Sequence, residues 1–490
     1  MTDDSASPEA LDRPPHGDEG SAHAAEVRRL RAAIRAREAL LEERERQLVE
    51  KTELVRSMTA SRSWRLTRPL RAATELRRRA SAVRGGRSLE HDALEAMFDP
   101  EWYARRYGAV GPSETLLDDY LSSGWREGRD PMPLLDGAWY AAQYQGRPSD
   151  TSPLEDFVAH ASERRPNRWF DPALWNRLPD RAAPDVVTYL GGVAVDLHRE
   201  AADSALGVVS GASELEDGCA ACVFVHYDTE GRFDPHVAST VAALARCGRR
   251  VVVCSTSPAL DTATSEGLRD HVAFVLSVPN TGHDWGAYHA GLGFVLGRCA
   301  PRSVTFMNDS VYVVPEALHA FLERVDGTPA DVVGATDSLM FRYHLQSYFL
   351  HLGRSALDSA LTKEFLSTYV AVADKHYVIN AYEIGFSRRA AAHGLALEAV
   401  FPYEELAGAV GRELSRSEFA PNPTLDLWDV LLEQGSPFVK RQLLRDMAPD
   451  PARLRELVPA ETLRLAEAHL ARMDVGGDRS SAQAAAGERP

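Results

Sequence analysis

The sequence predicts an α/β protein built on a mainly parallel sheet, preceded by a helical N-terminal region and small helical repeats. Three observations carry this. From about residue 219 to 445, short apolar runs alternate with helix-patterned segments, the signature of repeated βα units. The runs, such as Val251-Val252-Val253-Cys254, are continuously apolar, as in strands covered by helices on both faces. Small polar clusters close the runs, at the strand ends where open α/β sheets bind ligands.

The elements follow in order. Residues 1–22 are rich in Asp, Glu, Pro, Ser and Gly without periodicity and are expected to be disordered. Residues 23–58 hold helix formers without Gly or Pro. Val27, Ile34, Leu41, Leu48 and Val55 make a heptad stripe, but the matching positions Leu30, Arg37, Arg44 and Lys51 leave half the seam charged. A coiled coil giving weak homo-oligomers and a single solvated helix are both open. Residues 59–90 form a basic amphipathic linker. Within it, 61–87 sets nine arginines, from Arg62 to Arg87, against the single acid Glu75, with Trp64, Leu66 and Leu70 interleaved. Such a segment suits peripheral contact with an anionic membrane surface, and a solvated linker helix is the plain alternative.

Residues 91–180 contain a loose repeat. Phe98-Asp99-Pro100-Glu101-Trp102-Tyr103 recurs as Leu135-Asp136-Gly137-Ala138-Trp139-Tyr140 and as Phe170-Asp171-Pro172-Ala173-Leu174-Trp175. Each unit reads as a short helix pair that needs a neighbour to cover its apolar face. A structural spacer and sugar-chain binding by exposed Trp are the two readings. Residues 181–218 look like a linker. In the 219–445 domain, strands are expected at 222–228, 249–257, 273–280, 303–310 and 331–337, with helices at 233–248, 261–272, 284–299 and 315–325. Residues 446–475 are expected to be helical and 476–490 a disordered tail.

Composition narrows the function. The formal charge of −16 argues against nucleic-acid binding, which needs clustered cations. No apolar run approaches the roughly 20 residues of a membrane span. The acidic N-terminus does not read as a signal peptide, so a cytoplasmic protein is expected, with the inner face of the plasma membrane as its peripheral contact. Cys219, Cys222, Cys247, Cys254 and Cys299 lack a second ligand pair at zinc spacing and read as reduced structural thiols. Gly291-Leu292-Gly293 sits in a helix pattern rather than after a strand, so helix packing is the expectation. Neither a phosphate loop of the G-x-x-x-x-G-K-[ST] type nor a G-x-S-x-G elbow occurs.

The chemistry gathers at strand ends. His226-Tyr227-Asp228, Asn280 to Tyr288, Asn308-Asp309-Ser310, and Thr336-Asp337 with His344 to Tyr348 each follow a strand, and Tyr382-Glu383 lies further on. By itself Asn308-Asp309-Ser310 reads equally as a capping turn or as a site. In a parallel sheet these ends share one edge, so Asp228, Asp284, Asp309 and Asp337 are candidates to converge. Convergent acids accept an anionic substrate when a divalent cation, Mn²⁺ or Mg²⁺, sits among them and holds a diphosphate. That is the logic of sugar transfer from a nucleotide-diphospho-sugar.

Five ordered motifs within 222–445 resemble the rhamnan synthesis F family of bacterial glycosyltransferase-like proteins. They are Gly282-His283-Asp284-Trp285-Gly286-Ala287-Tyr288, Met307-Asn308-Asp309-Ser310-Val311-Tyr312, His344-Leu345-Gln346-Ser347-Tyr348-Phe349, Tyr382-Glu383-Ile384-Gly385, and Asn422-Pro423-Thr424 followed by Trp428 and Pro437-Phe438-Val439-Lys440. The block Ser63 to Arg71 and the repeats also resemble elements found beside surface-polysaccharide glycosyltransferases. The resemblance implies a GT-A (Rossmann-like) domain and a hexosyltransferase. Its activity would add rhamnose or a related sugar to a glycan or lipid-linked glycan acceptor. On this reading Asp309 would hold the metal or the ribose-diphosphate, and Asn308 and Ser310 would position phosphate or sugar hydroxyls. Asp228 and Asp284 would contact the donor, with Trp285 and Tyr288 near the base or sugar. Glu383, then Asp337, would be the general base, and His344 and Gln346 would contact substrate. Two departures stand out. The place of the family fold's usual acid pair holds Asn308-Asp309, with one carboxylate. Leu425-Asp426 stands where the family often has a His. The rival class is a non-catalytic glycan-binding scaffold protein.

Overall fold

The computed structural model describes residues 91–487 apart from 146–148, 178–182, 194–206, 411–421 and 448. The stretches expected as disordered (1–22), heptad helix (23–58) and basic linker (59–90) lie outside the described residues.

The strands are β1 Gly207–Ser210, β2 Ala220–His226, β3 Arg249–Ser255, β4 Phe274–Ser277, β5 Ser303–Asn308, β6 Val311–Val313, β7 Val332–Ser338, β8 His344–Leu345, β9 Phe349–Gly353, β10 Leu397–Phe401 and β11 Phe438–Lys440. The central sheet runs β1-β4-β3-β2-β5-β9-β7-β10, with β8 on β7, and β6 and β11 form a separate ribbon. The pairs β3–β4, β2–β3, β2–β5 and β7–β10 are parallel. β9 inserts antiparallel between β5 and β7, and β1 lies antiparallel on the edge strand β4. The chain winds outward from β2 to β4, then returns to lay β5 on the other side of β2. That reversal makes the carboxyl ends of β2 and β5 a topological switch point, where such sheets open a crevice.

The continuous apolar runs are explained by two cores, one on each face. Along β2, Cys222 and Phe224 pack with Val237, Val241 and Leu244 of the helix Pro235–Arg246. The alternate residues Val223 and Val225 pack with Tyr288, Leu292 and Val295 of the helix His283–Leu296. Gly291 allows that second helix to approach, because a Cβ there would lie 2.4 Å from Val223 Cγ1 and 2.8 Å from Cys254 Sγ. The expected packing role of this glycine pattern therefore holds. All five cysteines are free thiols.

The repeated motifs each set an aspartate at a helix start. Asp99, Asp136 and Asp171 cap the helices Pro100–Tyr107, Gly137–Tyr144 and Pro172–Trp175, accepting from the backbone N–H of Trp102, Trp139 and Ala173. Tyr103 Oη donates to Asp119 and Tyr140 Oη to Asp156, both at 2.8 Å, so the first two units share the same partly buried strut. Trp102 is 8% exposed and Trp169 2%, which makes these rings packing groups rather than open platforms. The passage 181–218 holds the helix Val186–Gly192 and β1, whose backbone groups satisfy the free edge of β4. The last helix is Ala460–Gly487. No helix among the described residues is long and apolar enough to cross a membrane.

Candidate functional site

The switch point is where polar side chains converge. Asp309 follows β5 directly, its N–H donating to Val225 O of β2, and its Oδ2 accepts from Tyr227 N at 3.0 Å. Asn308 Nδ2 donates to Asp284 Oδ2 at 2.7 Å, and its Oδ1 accepts from both Ser310 N and Ser310 Oγ. The β6–β11 ribbon then brings two cations to the same place. Lys440 Nζ donates to Ser310 Oγ at 3.0 Å, and Arg441 Nη1 lies 3.8 Å from Asp309 Oδ1. Glu383 completes the group, with Oε1 accepting from Ser347 Oγ at 3.1 Å.

Local structure explains how each arrives. Gly282 and His283 both take left-handed backbone angles ahead of the helix that carries Asp284 in its first turn. Glycine is required at 282, since a Cβ would meet Tyr369 Oη at 1.9 Å. His283 spends its Nε2 on Ala373 O. Glu383 sits in the π-helical turn Ile379–Ile384, a distortion that recurs at functional sites because it re-aims side chains. That turn is anchored from the repeats. Asn380 and Asp171 exchange reciprocal hydrogen bonds, and Arg388 pairs with Asp171.

The electrostatics are those of crowded charge. Desolvation and the neighbouring Asp309 charge push Asp284 up to about 6, against the opposing Lys440 charge and Asn308 hydrogen bond. Burial holds Lys440 below the ordinary lysine range, while Glu383, Asp284 and Asp309 pull the other way. Desolvation also pushes Asp337 up to about 7, opposed by the Tyr403 N–H that it accepts at 2.6 Å.

The expected site residues divide. Asp284, Asn308, Asp309, Ser310 and Glu383 come together. Asp228 lies beside them, but Oδ1 caps Glu230 N and Arg232 N while Oδ2 pairs with Arg472, so it shapes the loop after β2. Trp285 and Tyr288 are 2% and 0% exposed. Trp285 packs on Phe386 and Phe365, and Tyr288 stacks on Phe306 at 4.7 Å. The apolar face of their helix turns them into the core, and Tyr288 reaches the cluster only by donating to Ser347 O. His344 is buried with Nδ1 against Arg342 O. Gln346 is buried between Thr336 Oγ1 and Asn422 Oδ1, tying two of the motifs together. Asp337 faces Tyr403, Glu404 and Glu405 instead of the Asp309 group.

Three participants were given no role by the sequence: Tyr227 and Lys440 stood inside its motifs, and Arg441 stood just after one. Lys440 ends β11 and Arg441 follows it, and β11 pairs with β6 across a long stretch of chain, which periodicity cannot foresee. Tyr227 was visible beside Asp228; the residue is 43% exposed, and its backbone N–H donates to Asp309 Oδ2. A cavity of about 700 Å³ lies elsewhere. It follows the seam between the repeats and the helix His283–Leu296, lined by Arg106, Trp169, Thr281 and Arg298 among others. None of Asp309, Glu383 or Lys440 lines it, and chemistry on a charged substrate needs the convergent cluster more than it needs the volume.

For a divalent cation, Asp309 is the fitting anchor. Its Oδ1 has only the long Arg441 contact among the described residues. Mg²⁺ is commonly held by one or two carboxylates together with substrate phosphates.

Residues 251–461 match the family model of Rhamnan synthesis protein F (RgpF). Two curated relatives from Vibrio anguillarum, each described as Virulence protein VirA, are 26% identical over 189 residues. The match covers 34% of this chain and spans 60% of the length of those relatives. Among solved structures, S. aureus TarS 1–349 is similar at 14% identity with a TM-score of 0.21, over 51% of this chain and 87% of that one.

Proposed function

We propose that the chain is a glycosyltransferase of cell-surface polysaccharide synthesis, with a GT-A-type domain that takes a nucleotide-diphospho-sugar at the β2/β5 switch point. The observation that carries this is the joining of Asp309, Asn308, Ser310, Lys440 and Arg441 at one sheet edge, within the stretch matched by the rhamnan synthesis family. A diphosphate needs positive charge and hydroxyl donors at close quarters. Lys440 and Arg441 supply charge, Ser310 a hydroxyl, and Asp309 would anchor a divalent cation, Mn²⁺ or Mg²⁺, shared with the phosphate oxygens. The ring of the exposed Tyr227 offers a stacking face for the nucleoside. Glu383, held by Ser347, is the general base toward the acceptor hydroxyl, and Asp337, turned toward Tyr403, falls out of that role. Rhamnose or a related sugar is the transferred group, and a glycan or lipid-linked glycan the acceptor. On this reading the chain works in the cytoplasm, with 61–87 against the inner membrane face and 23–58 joining copies weakly.

The second reading, a glycan-binding scaffold, is favoured by the lone carboxylate at Asn308-Asp309. A panel of dTDP-, GDP- and UDP-sugars, assayed for binding and turnover with and without Mn²⁺, separates the two. The enzyme reading expects one donor to bind and turn over, and Asp309→Asn to lower turnover at least 100-fold with the fold intact. Absence of binding and hydrolysis across the panel sinks it.

A further inference from the structure

A second polar cluster lies behind the loop that follows β2. Asp234 stands at the N-cap of the helix Pro235–Arg246 but caps no backbone N–H with its side chain. His236 follows two residues later, 7% exposed, and both of its ring nitrogens are buried without a hydrogen-bond partner among the described residues. His469 arrives from the C-terminal helix, also 7% exposed, its ring 4.3 Å from that of His236. One ligand atom from each of the three residues falls within 4.8 Å of the others.

We propose that Asp234, His236 and His469 bind a divalent transition-metal ion, with Zn²⁺ the best match, which ties the C-terminal helix to the sheet domain. A buried imidazole nitrogen without a partner is destabilising unless something occupies it, and a bound ion would take one of the two on His236. Two imidazoles and a carboxylate form a donor set suited to Zn²⁺, with a water completing the tetrahedron. Partners of the kind that orient metal ligands are in place. Tyr312 Oη meets His469 Nδ1 at 2.9 Å, leaving Nε2 turned toward Asp234 at 3.6 Å. Arg472 takes Asp234 Oδ2, and no hydrogen bond to Oδ1 occurs among the described residues. Burial favours neutral imidazoles at both histidines, which keeps their lone pairs available. Around the site Asp228, Asp234 and Asp309 stand against Arg441 and Arg472, so the local balance leaves room for a cation. The site does not depend on the glycosyltransferase reading.

The test uses the full chain, stripped with a chelator and titrated with Co²⁺ and then Zn²⁺. Co²⁺ is expected to produce one equivalent of visible ligand-field absorption, which Zn²⁺ displaces. Zn²⁺ is also expected to raise the thermal midpoint in a concentration-dependent way. His236→Ala and His469→Ala should each weaken Co²⁺ binding at least 100-fold, and Tyr312→Phe about 10-fold. Asp309→Asn should leave the spectrum unchanged. Circular dichroism of the metal-free variants checks that they fold, and Asp234→Asn is a milder substitution that should also lose the spectrum. No spectrum and no Zn²⁺-dependent melting shift in the wild-type chain overturns the proposal. A signal that survives both histidine changes, or vanishes in Asp309→Asn, also overturns it.

Discussion

Asp284 shows how the site trades stability for charge. Its carboxyl is pushed up to about 6 by desolvation and by Asp309. The folded chain therefore holds a proton that the unfolded chain, with an ordinary aspartate, releases near pH 4. Between about pH 4 and 6 the folded state binds more protons, so this group lowers stability as pH rises. Asp284→Asn keeps an acceptor for Asn308 and removes the repulsion. Its melting temperature should equal that of the parent near pH 4 and exceed it increasingly up to about pH 6, then level off. Asp337 titrates in the same direction but is common to both proteins and drops out of the difference. A constant offset from pH 4 to 8 would contradict this. Glu383→Gln should behave differently, leaving donor KM nearly unchanged while kcat falls about 10² to 10⁴-fold, measured in the donor assay. A general base acts on the acceptor in the transition state and has little part in holding the donor.

At the scale of elements, β2 to β5 and β7 were legible because buried parallel strands are continuous apolar runs. The turn chemistry of Asn308-Asp309-Ser310 was legible as polar punctuation after such a run. What stayed hidden is pairing. β9 enters between β5 and β7 antiparallel, and β11 finds β6, through contacts far apart in sequence. Lys440 was therefore visible only as the end of a motif without a role. Trp285 and Tyr288 misled for a related reason. An aromatic next to a polar motif looks like a platform until its helix face is known. The support of Glu383 was equally invisible, because it comes from the third repeat unit. Asp171 is 5% exposed at its side chain and meets Arg165, Arg342 and Arg388. Burial pushes its pKa up, but these three guanidiniums prevail and hold it at about 2. Asp171→Ala leaves those cations without their shared carboxylate and should cost about 3–5 kcal/mol in chemical denaturation. In the parent, this contribution is present above about pH 4 and is lost as pH falls toward 2. A loss below 1 kcal/mol would mean that the network is solvated.

For the whole molecule, the question is whether the repeats are an appendage or part of the fold. Their sequence suggests a separable spacer, yet their aromatics belong to one continuous core with β2, β5 and the helix His283–Leu296. Phe170 stacks on Tyr377 at 5.2 Å, and Trp169 packs on Phe365 and Tyr382 while its Nε1 donates to Thr368 Oγ1. Removing the repeats would uncover these rings next to the π-helical turn that carries Glu383. Burial of each large aromatic is worth about 3–5 kcal/mol by truncation, comparable with the stability of a whole domain. A chain spanning 91–490 should thus unfold in one cooperative transition. Trp169→Ala should shift that entire transition rather than split it. A chain spanning 207–490 should aggregate or bind a hydrophobic dye, and should lose Glu383-dependent turnover before it loses donor binding. The Asp309, Lys440 and Arg441 group is built from the sheet and its ribbon, whereas Glu383 is braced from the repeats. A monomeric 207–490 chain with a sharp transition and parental kcat would show that the repeats do no more than cover the helix face they touch.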